Sequence, residues 1–85
     1  MYQIEFEAEA VKTLRRLPRN VARVIRAKID QLAWDPHAPN NNVKPLRGDA
    51  AYRLRVGDWR VLYQLEDTRL VITIIKIRPR GSAYD

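Results

Sequence analysis

The sequence has no cysteine, only three glycines, and a single histidine and serine. Without cysteine the fold has neither a disulfide framework nor a thiolate metal site, and a reducing compartment is expected. His37 lies between two loop residues and Ser82 is the only serine, so a serine–histidine–aspartate triad is not expected. The glycines are isolated from one another, which excludes a glycine-rich phosphate loop.

The acidic residues are too scattered to hold a metal ion. Glu5, Glu7 and Glu9 pass from a predicted strand into a predicted helix and so diverge, and Glu66 and Asp67 share a turn. Neither group resembles the carboxylate cage that Mg²⁺ needs. We therefore expect no metal and no small-molecule cofactor.

The chain also lacks a long hydrophobic run. Its longest strongly apolar stretch, 70–75, is far shorter than the roughly 20 residues that span a bilayer. The opening residues lack the basic region and apolar run of a signal peptide. We expect no membrane partner and a cytoplasmic location.

Positive charge is abundant. The 85 residues carry a formal net charge of +6 and a pI near 10.2. A chain this short buries too small a core to divide between two units, so residues 1–85 are expected to form a single domain. A positive field attracts polyanions, which favours a nucleic-acid partner; the alternative is a basic protein that its charge merely keeps soluble.

The hydrophobic pattern predicts an α+β fold. Apolar residues that alternate predict strands, and those that recur at helical spacing predict helices. The order is β-α-α-β-β-β, with a helical hairpin packed on one face of a small antiparallel sheet and the other face left for function. The elements are a strand at 2–6, a helix at 8–17, a helix capped by Asn20 and ending before Pro36, strands at 52–56 and 59–65, and a strand at 70–77 largely buried on both faces.

A tight hairpin concentrates positive charge. The Gly-Asp pair at 57–58 predicts a two-residue turn, which opposes Arg55 to Arg60 and sets Arg53 diagonal to them. Directly opposed like charges destabilise a sheet unless an anion lies between them, which predicts a phosphate-binding face. The alternative is a solvated face on which the long side chains splay apart.

The end of the chain is dense in groups that bind phosphate or stack on bases, among them Arg78, Arg80 and Tyr84. The last predicted strand returns toward the hairpin turn. Arg80 and Tyr84 are therefore expected to emerge near Arg55 and Arg60; the alternative for Tyr84 is a frayed terminal aromatic.

RNA cleavage is the chemistry that remains after these exclusions. The 2′-hydroxyl of RNA can attack the adjacent phosphorus without metal if the protein supplies a base, positive charge for the phosphorane and help for the leaving 5′-oxygen. A tyrosine of unperturbed pKa near 10 is ionised only about one part in a thousand at neutral pH. We expect a poor nuclease in isolation, active where something else orients the RNA.

The ordered set of motifs resembles the RelE/ParE superfamily of bacterial toxin–antitoxin toxins, and within it the RelE branch. The resemblance covers nearly the whole chain, from the opening strand and helical hairpin onward. It includes the segment PLRG at 45–48, the run YRLRVGDWRVLY at 52–63 and the ending in Arg80 with Tyr84.

The resemblance implies a function and a set of site residues. The function is that of a type II toxin, a ribosome-dependent mRNA endoribonuclease acting in the ribosomal A site and paired with a RelB-like antitoxin. By position, Arg53 and Arg55 are similar to the strand pair that grips RNA, and Arg60 to the arginine that stabilises the transition state. Arg80 resembles the one that assists the leaving oxygen, and Tyr84 the residue that activates the 2′-hydroxyl. Further RNA-binding candidates are Arg47 and Arg78.

Two alternatives stay open. The ParE branch has the same fold and inhibits DNA gyrase without cutting RNA, although it typically lacks the full arginine–tyrosine set. A basic RNA-binding domain without chemistry is the other. Many relatives carry a histidine just before the last arginine; this chain has Pro79 there, which excludes a histidine-assisted mechanism.

Overall fold

The computed structural model describes residues 1–47 and 51–81. These residues form two helices and a five-stranded sheet, which confirms the predicted α+β fold. In chain order the elements are β1 (Gln3–Phe6), α1 (Ala8–Arg16), α2 (Arg19–Trp34), β2 (Val43–Pro45), β3 (Ala51–Val56), β4 (Trp59–Glu66) and β5 (Val71–Pro79).

The strand order is β1-β5-β4-β3-β2. Strands β2 to β5 pair antiparallel, whereas β1 pairs parallel to β5, with Gln3 opposite Val71. The sheet is therefore mixed, which corrects the expectation of a purely antiparallel one. The helical hairpin carries the chain from the β1 edge to the β2 edge, and the meander then brings β5 back beside β1 in the same direction. Alternation predicts which side of a strand is buried, but not the direction of its neighbour.

Proline sets both helix boundaries near residue 18. Helix α1 ends at Arg16, as expected ahead of a proline. Helix α2 begins at Arg19 with Pro18 at the N-cap position, where no side-chain cap forms. The predicted cap by Asn20 is wrong, because the ring of Pro18 holds φ at −54°, close to the helical value, and starts the helix before Asn20.

The core lies between the helical hairpin and one face of the sheet. Ile25 and Ile29 of α2 are fully buried in one cluster with Val61, Ile72 and Ile74 of the central strands. Burying a side chain of this size stabilises the fold by roughly 1.5 to 3 kcal/mol. The opposite face of the sheet carries no helix among the described residues, and no described helix is long and apolar enough to cross a membrane.

Candidate nucleic-acid interface

The β3–β4 hairpin has the predicted register. Val56 pairs with Trp59 and Arg55 with Arg60 across a two-residue turn. Gly57 adopts φ +57°, the positive value that the first position of such a tight turn requires. The turn thus fixes which side chains of β3 and β4 point away from the helices.

The face of the sheet opposite the helices, called here the open face, is strongly basic. Residues next to the buried Leu54, Val56 and Val61 point to this side, because successive side chains of a strand alternate. Arg60 lies between Arg55 and Arg78 in one row across three strands. In the half nearer the hairpin turn, six of these seven residues are cationic: Lys44, Arg53, Arg55, Arg60, Leu62, Lys76 and Arg78. Farther from the turn the same face carries Ala51, Gln64 and Thr73.

Part of the open face is concave. A depression of about 280 Å³, called here the arginine cleft, brings Arg53, Arg55, Arg60 and Arg80 together. Its other lining residues are Asn41, Asn42 and Lys44, so no carboxylate of the described ranges 1–47 and 51–81 contributes to its wall. A concave site lined by one sign of charge focuses the field and raises the local concentration of a polyanion.

Arg80 reaches the cleft because the chain is anchored after β5. Its backbone amide donates a hydrogen bond to the carbonyl oxygen of Asp58 in the hairpin turn, at 2.6 Å, and the preceding Pro79 lies opposite Trp59. The predicted convergence of Arg80 with Arg55 and Arg60 is confirmed. Tyr84, the fourth member of that predicted group, lies outside the described residues.

The two further RNA-binding candidates are placed differently. Arg78 lies in β5 directly opposite Arg60, on the open face but outside the lining of the cleft. Arg47 follows β2 at the far end of β3, where Leu46 donates a backbone hydrogen bond to Ala51 at 2.9 Å. The structure therefore does not bring Arg47 into the cleft.

Four polar residues of this surface were not predicted. Three of them, Asn41, Asn42 and Lys44, line the cleft from the β2 side. The sequence pattern indicated only a loop there, because β2 has three residues and shows no period. Lys76 lies in the run that the sequence predicted to be buried on both faces. It is half-exposed instead, opposite Leu62, beside an irregularity in the β4–β5 register. The exposed position of Lys76 could have been predicted from the sequence, because a lysine interrupts an otherwise apolar strand.

The asparagine segment braces Arg55. The Arg55 guanidinium approaches Asn42 Oδ1 at 3.5 Å, and the Arg55 backbone amide donates to the Asn42 carbonyl at 2.8 Å. Asn42 is held in turn by its backbone amide, which donates to Asn40 Oδ1 at 2.9 Å. Side-chain bonds of this local kind stabilise turns, so the wall of the cleft beside Arg55 has a defined shape.

A second group of ionisable residues lies at the opposite end of β4. The Tyr2 hydroxyl donates to Asp67 Oδ1 at 2.7 Å, and His37 Nε2 lies 2.7 Å from the same oxygen. The hydrogen bonds from Tyr2 and then His37 lower the pKa of Asp67, and the bond to Asp67 raises the pKa of Tyr2. These contacts join the residue before β1, the loop after α2 and the β4–β5 turn. Nowhere in the described ranges do three His, Cys, Asp or Glu residues form a metal-binding group.

Comparison with known proteins agrees with this fold. The family model described as "ParE toxin of type II toxin-antitoxin system, parDE" matches residues 4–84. The chain is 33% identical to toxin RelE of Mycobacterium tuberculosis, over 98% of this chain and 86% of that protein. It is 25% identical to the mRNA interferase toxin RelE of Escherichia coli, over 98% of this chain and 90% of that toxin.

A solved structure gives the same result for the fold. The RelE–RelB complex of the archaeon Pyrococcus horikoshii contains a chain that matches with a TM-score of 0.84 and 34% identity, covering 96% of this chain and 98% of the matched one. Sequence and fold therefore agree with the resemblance to RelE-type toxins. The chain belongs to the ParE toxin family of type II toxin–antitoxin systems, and the three relatives described above are RelE toxins.

Proposed function

We propose that this toxin is an endoribonuclease that cleaves mRNA without metal or cofactor and so inhibits translation. The observation that carries the proposal is the arginine cleft, which is lined by arginines of β3 and β4 and by Arg80, the residue after β5. We also propose that residues 1–85 form a single domain. The target is mRNA in the ribosomal A site, which places the toxin in the cytoplasm.

The arrangement of the cleft suits stabilisation of a phosphorane. Arg53 and Arg55 hold the RNA backbone, because a guanidinium forms paired, charge-assisted hydrogen bonds with phosphate. Arg60 stabilises the charge that develops in the transition state, and Arg80 assists the leaving 5′-oxygen. Tyr84, outside the described residues, takes the proton of the 2′-hydroxyl in this scheme.

The opposition of Arg55 and Arg60 supports an anionic ligand. Two like charges directly across a sheet destabilise it, and an anion between them removes that cost. The ribosome is needed to orient the RNA in this proposal, because tyrosine is a weak base at neutral pH. An RNA already oriented against the cleft reacts at a useful rate even when only a small fraction of the base is ionised.

An antitoxin partner is the second part of the proposal. The matched archaeal chain was solved in a RelE–RelB complex, and we propose that a RelB-like antitoxin binds this toxin as well. Trp34, 73% exposed at the end of α2, offers such a partner an aromatic anchor. The net charge of +6 favours an acidic segment in the antitoxin.

Inhibition of DNA gyrase is the alternative function. The name of the matching family model favours it, since that model is described by the ParE toxin. The arginine cleft favours RNA cleavage over this alternative, because a toxin that only binds gyrase needs no convergence of four arginines around one concave space.

Inducible expression in bacteria tests the proposal. Wild type and the variants Arg60→Ala and Arg69→Ala are compared for growth and for transcript 5′ ends mapped by primer extension. Arg69 is an exposed arginine paired with Glu66 at the other end of β4, so its variant is matched in chemistry but distant from the cleft. We expect growth arrest with new transcript ends from wild type and Arg69→Ala, and neither from Arg60→Ala.

The other outcomes separate the alternatives. Growth arrest with intact transcripts and a DNA-damage response would support the gyrase inhibitor. Growth that continues with wild type would leave an RNA-binding domain without chemistry.

A further inference from the structure

A second pocket adjoins the arginine cleft at the carboxyl end of α2. It has a volume of about 300 Å³ and lies between α2, the loop at 38–42 and β3. Asn42 and Arg55 line both the pocket and the arginine cleft, so the two depressions meet at the Arg55 side chain. A polymer whose phosphates lie in the cleft can therefore place a neighbouring group in the pocket.

The lining of this pocket differs in chemistry from the cleft. It carries three primary amides, from Gln31, Asn40 and Asn42, and we call it the amide pocket. Lys28 of α2 and Asp35, which follows the helix, are of opposite sign, so the net positive charge of the lining comes from Arg55, which the pocket shares with the cleft. A primary amide both donates and accepts hydrogen bonds, as the edge of a nucleobase does, whereas a phosphate only accepts.

The remaining walls and the size also suit a nucleobase. Leu32, Pro39 and Leu54 add apolar surface against which the flat face of a base can pack. Small-molecule sites have volumes of about 300 to 1,000 Å³, so this pocket is at the lower limit and admits one ring system rather than a larger ligand.

We propose that the amide pocket binds one nucleobase of the RNA whose phosphates occupy the arginine cleft. Gln31 and Asn42 are then residues that determine sequence preference, and Asn42 also links the base to Arg55 through the contact described above. The inference rests on the proposed function for the identity of the ligand as RNA, and it adds a base subsite to that function.

Binding of an uncleavable RNA tests this directly. The probe is a short, fluorescein-labelled 2′-O-methyl oligoribonucleotide of mixed sequence, compared with derivatives that each have one abasic position. It cannot be cleaved because the attacking hydroxyl is blocked. Fluorescence anisotropy at low salt gives the affinity of the full-length toxin for each oligomer.

Three variants complete the design. Ala38→Leu fills the pocket, and Gln31→Met removes an amide at nearly constant volume. Ala27→Leu adds the same side chain to an exposed position of α2 outside the pocket and is the control. We expect one abasic position to weaken binding to wild type and Ala27→Leu by about fivefold or more, the effect of losing one base contact. Ala38→Leu and Gln31→Met should bind the intact and abasic oligomers equally.

Each other result overturns the inference. The pocket reads no base if every abasic oligomer binds wild type as well as the intact one, or if the abasic effect survives in both pocket variants. If the pocket variants lose the same affinity for every oligomer, the pocket binds phosphate. If their affinities for all oligomers equal those of the wild type but they no longer bind the antitoxin, the pocket is a protein interface. Because no cleavage is involved, a toxin that shows the base effect but cuts no mRNA would refute the proposed function alone.

Discussion

Arg55 and Arg60 lie directly opposite each other in the antiparallel pairing of β3 and β4, on the face of the sheet that the helices leave uncovered. A directly opposed pair of like charges destabilises a sheet by roughly 0.2 to 1 kcal/mol. Neighbouring cations on the same face, Arg53 and Arg78, add to the repulsion. A phosphate bound on this face would be attracted to both strands.

Removing one of these charges should stabilise the free protein. Arg55→Thr replaces the arginine by a residue that favours strands, and the contact it loses, at 3.5 Å to Asn42, is long and exposed. We expect Tm to rise by a few degrees at low salt, since about 1 kcal/mol shifts a domain of this size by roughly 4 to 8 °C. The gain should shrink in 1 M salt, which screens the repulsion. A lower Tm at both salt concentrations would show that the pair is not strained.

Binding of RNA to the cleft should depend steeply on salt. If the four arginines of the cleft each contact a phosphate, the affinity for single-stranded RNA falls by about 50-fold between 50 and 200 mM salt. Arg53→Gln should weaken binding and reduce the slope of log affinity against log salt by about 0.7. Arg69→Gln, at the opposite end of β4, should leave the slope unchanged, and an equal change in both variants would argue against a localised site.

Tyr63 should make stability sensitive to alkaline pH. It is buried, and its ring stacks on that of Tyr52 with centroids 5.5 Å apart. Burial raises its pKa to about 12, above the value of about 10 in an unfolded chain. A group whose pKa is raised by folding stabilises the fold below its unfolded pKa, and this contribution is lost as pH rises toward the folded value. In urea denaturation, the free energy of unfolding should fall more steeply between pH 10 and 12 for wild type than for Tyr63→Phe. Parallel curves would contradict this.

Leu70 should tolerate glycine with a gain in stability. It has φ +54° in the turn between β4 and β5 and is 51% exposed. A left-handed conformation costs a side-chain-bearing residue roughly 1 to 2 kcal/mol, and glycine removes that cost at the expense of greater freedom in the unfolded chain. We expect Leu70→Gly to raise the free energy of unfolding by up to about 1 kcal/mol. Thr68 lies in the same turn without a positive φ, so Thr68→Gly should lower the free energy of unfolding. If chemical denaturation shows Thr68→Gly to be more stable than Leu70→Gly, the backbone at Leu70 is not strained.

The hairpin was predictable because a two-residue turn fixes strand register. Once the turn is at 57–58, the opposition of Arg55 to Arg60 follows without any knowledge of the rest of the fold. The convergence of Arg80 followed from antiparallel connectivity alone, and the hydrogen bond to Asp58 shows how it is fixed.

Other parts of the site depend on contacts that a local pattern does not encode. Strand β2 has three residues, too few to show a period, and its pairing with β3 places Lys44 opposite Arg53. The amide pocket joins residues of α2, the following loop and β3, so it exists only after the helical hairpin has packed on the sheet. The parallel position of β1 likewise depends on where the chain returns, and not on the residues of β1.

In the proposed function, the arginine cleft cuts mRNA on the ribosome. The most direct test adds the purified toxin to ribosomes programmed with a defined mRNA and follows single-turnover cleavage in the A-site codon. We predict a 5′ fragment ending in a 2′,3′-cyclic phosphate, a rate reduced at least 100-fold by Arg60→Ala and unchanged by Arg69→Ala, and no product when the A-site nucleotides carry 2′-O-methyl groups. Cleavage that persists with the 2′-O-methyl mRNA, or mRNA left intact by a toxin that arrests growth, would contradict the account.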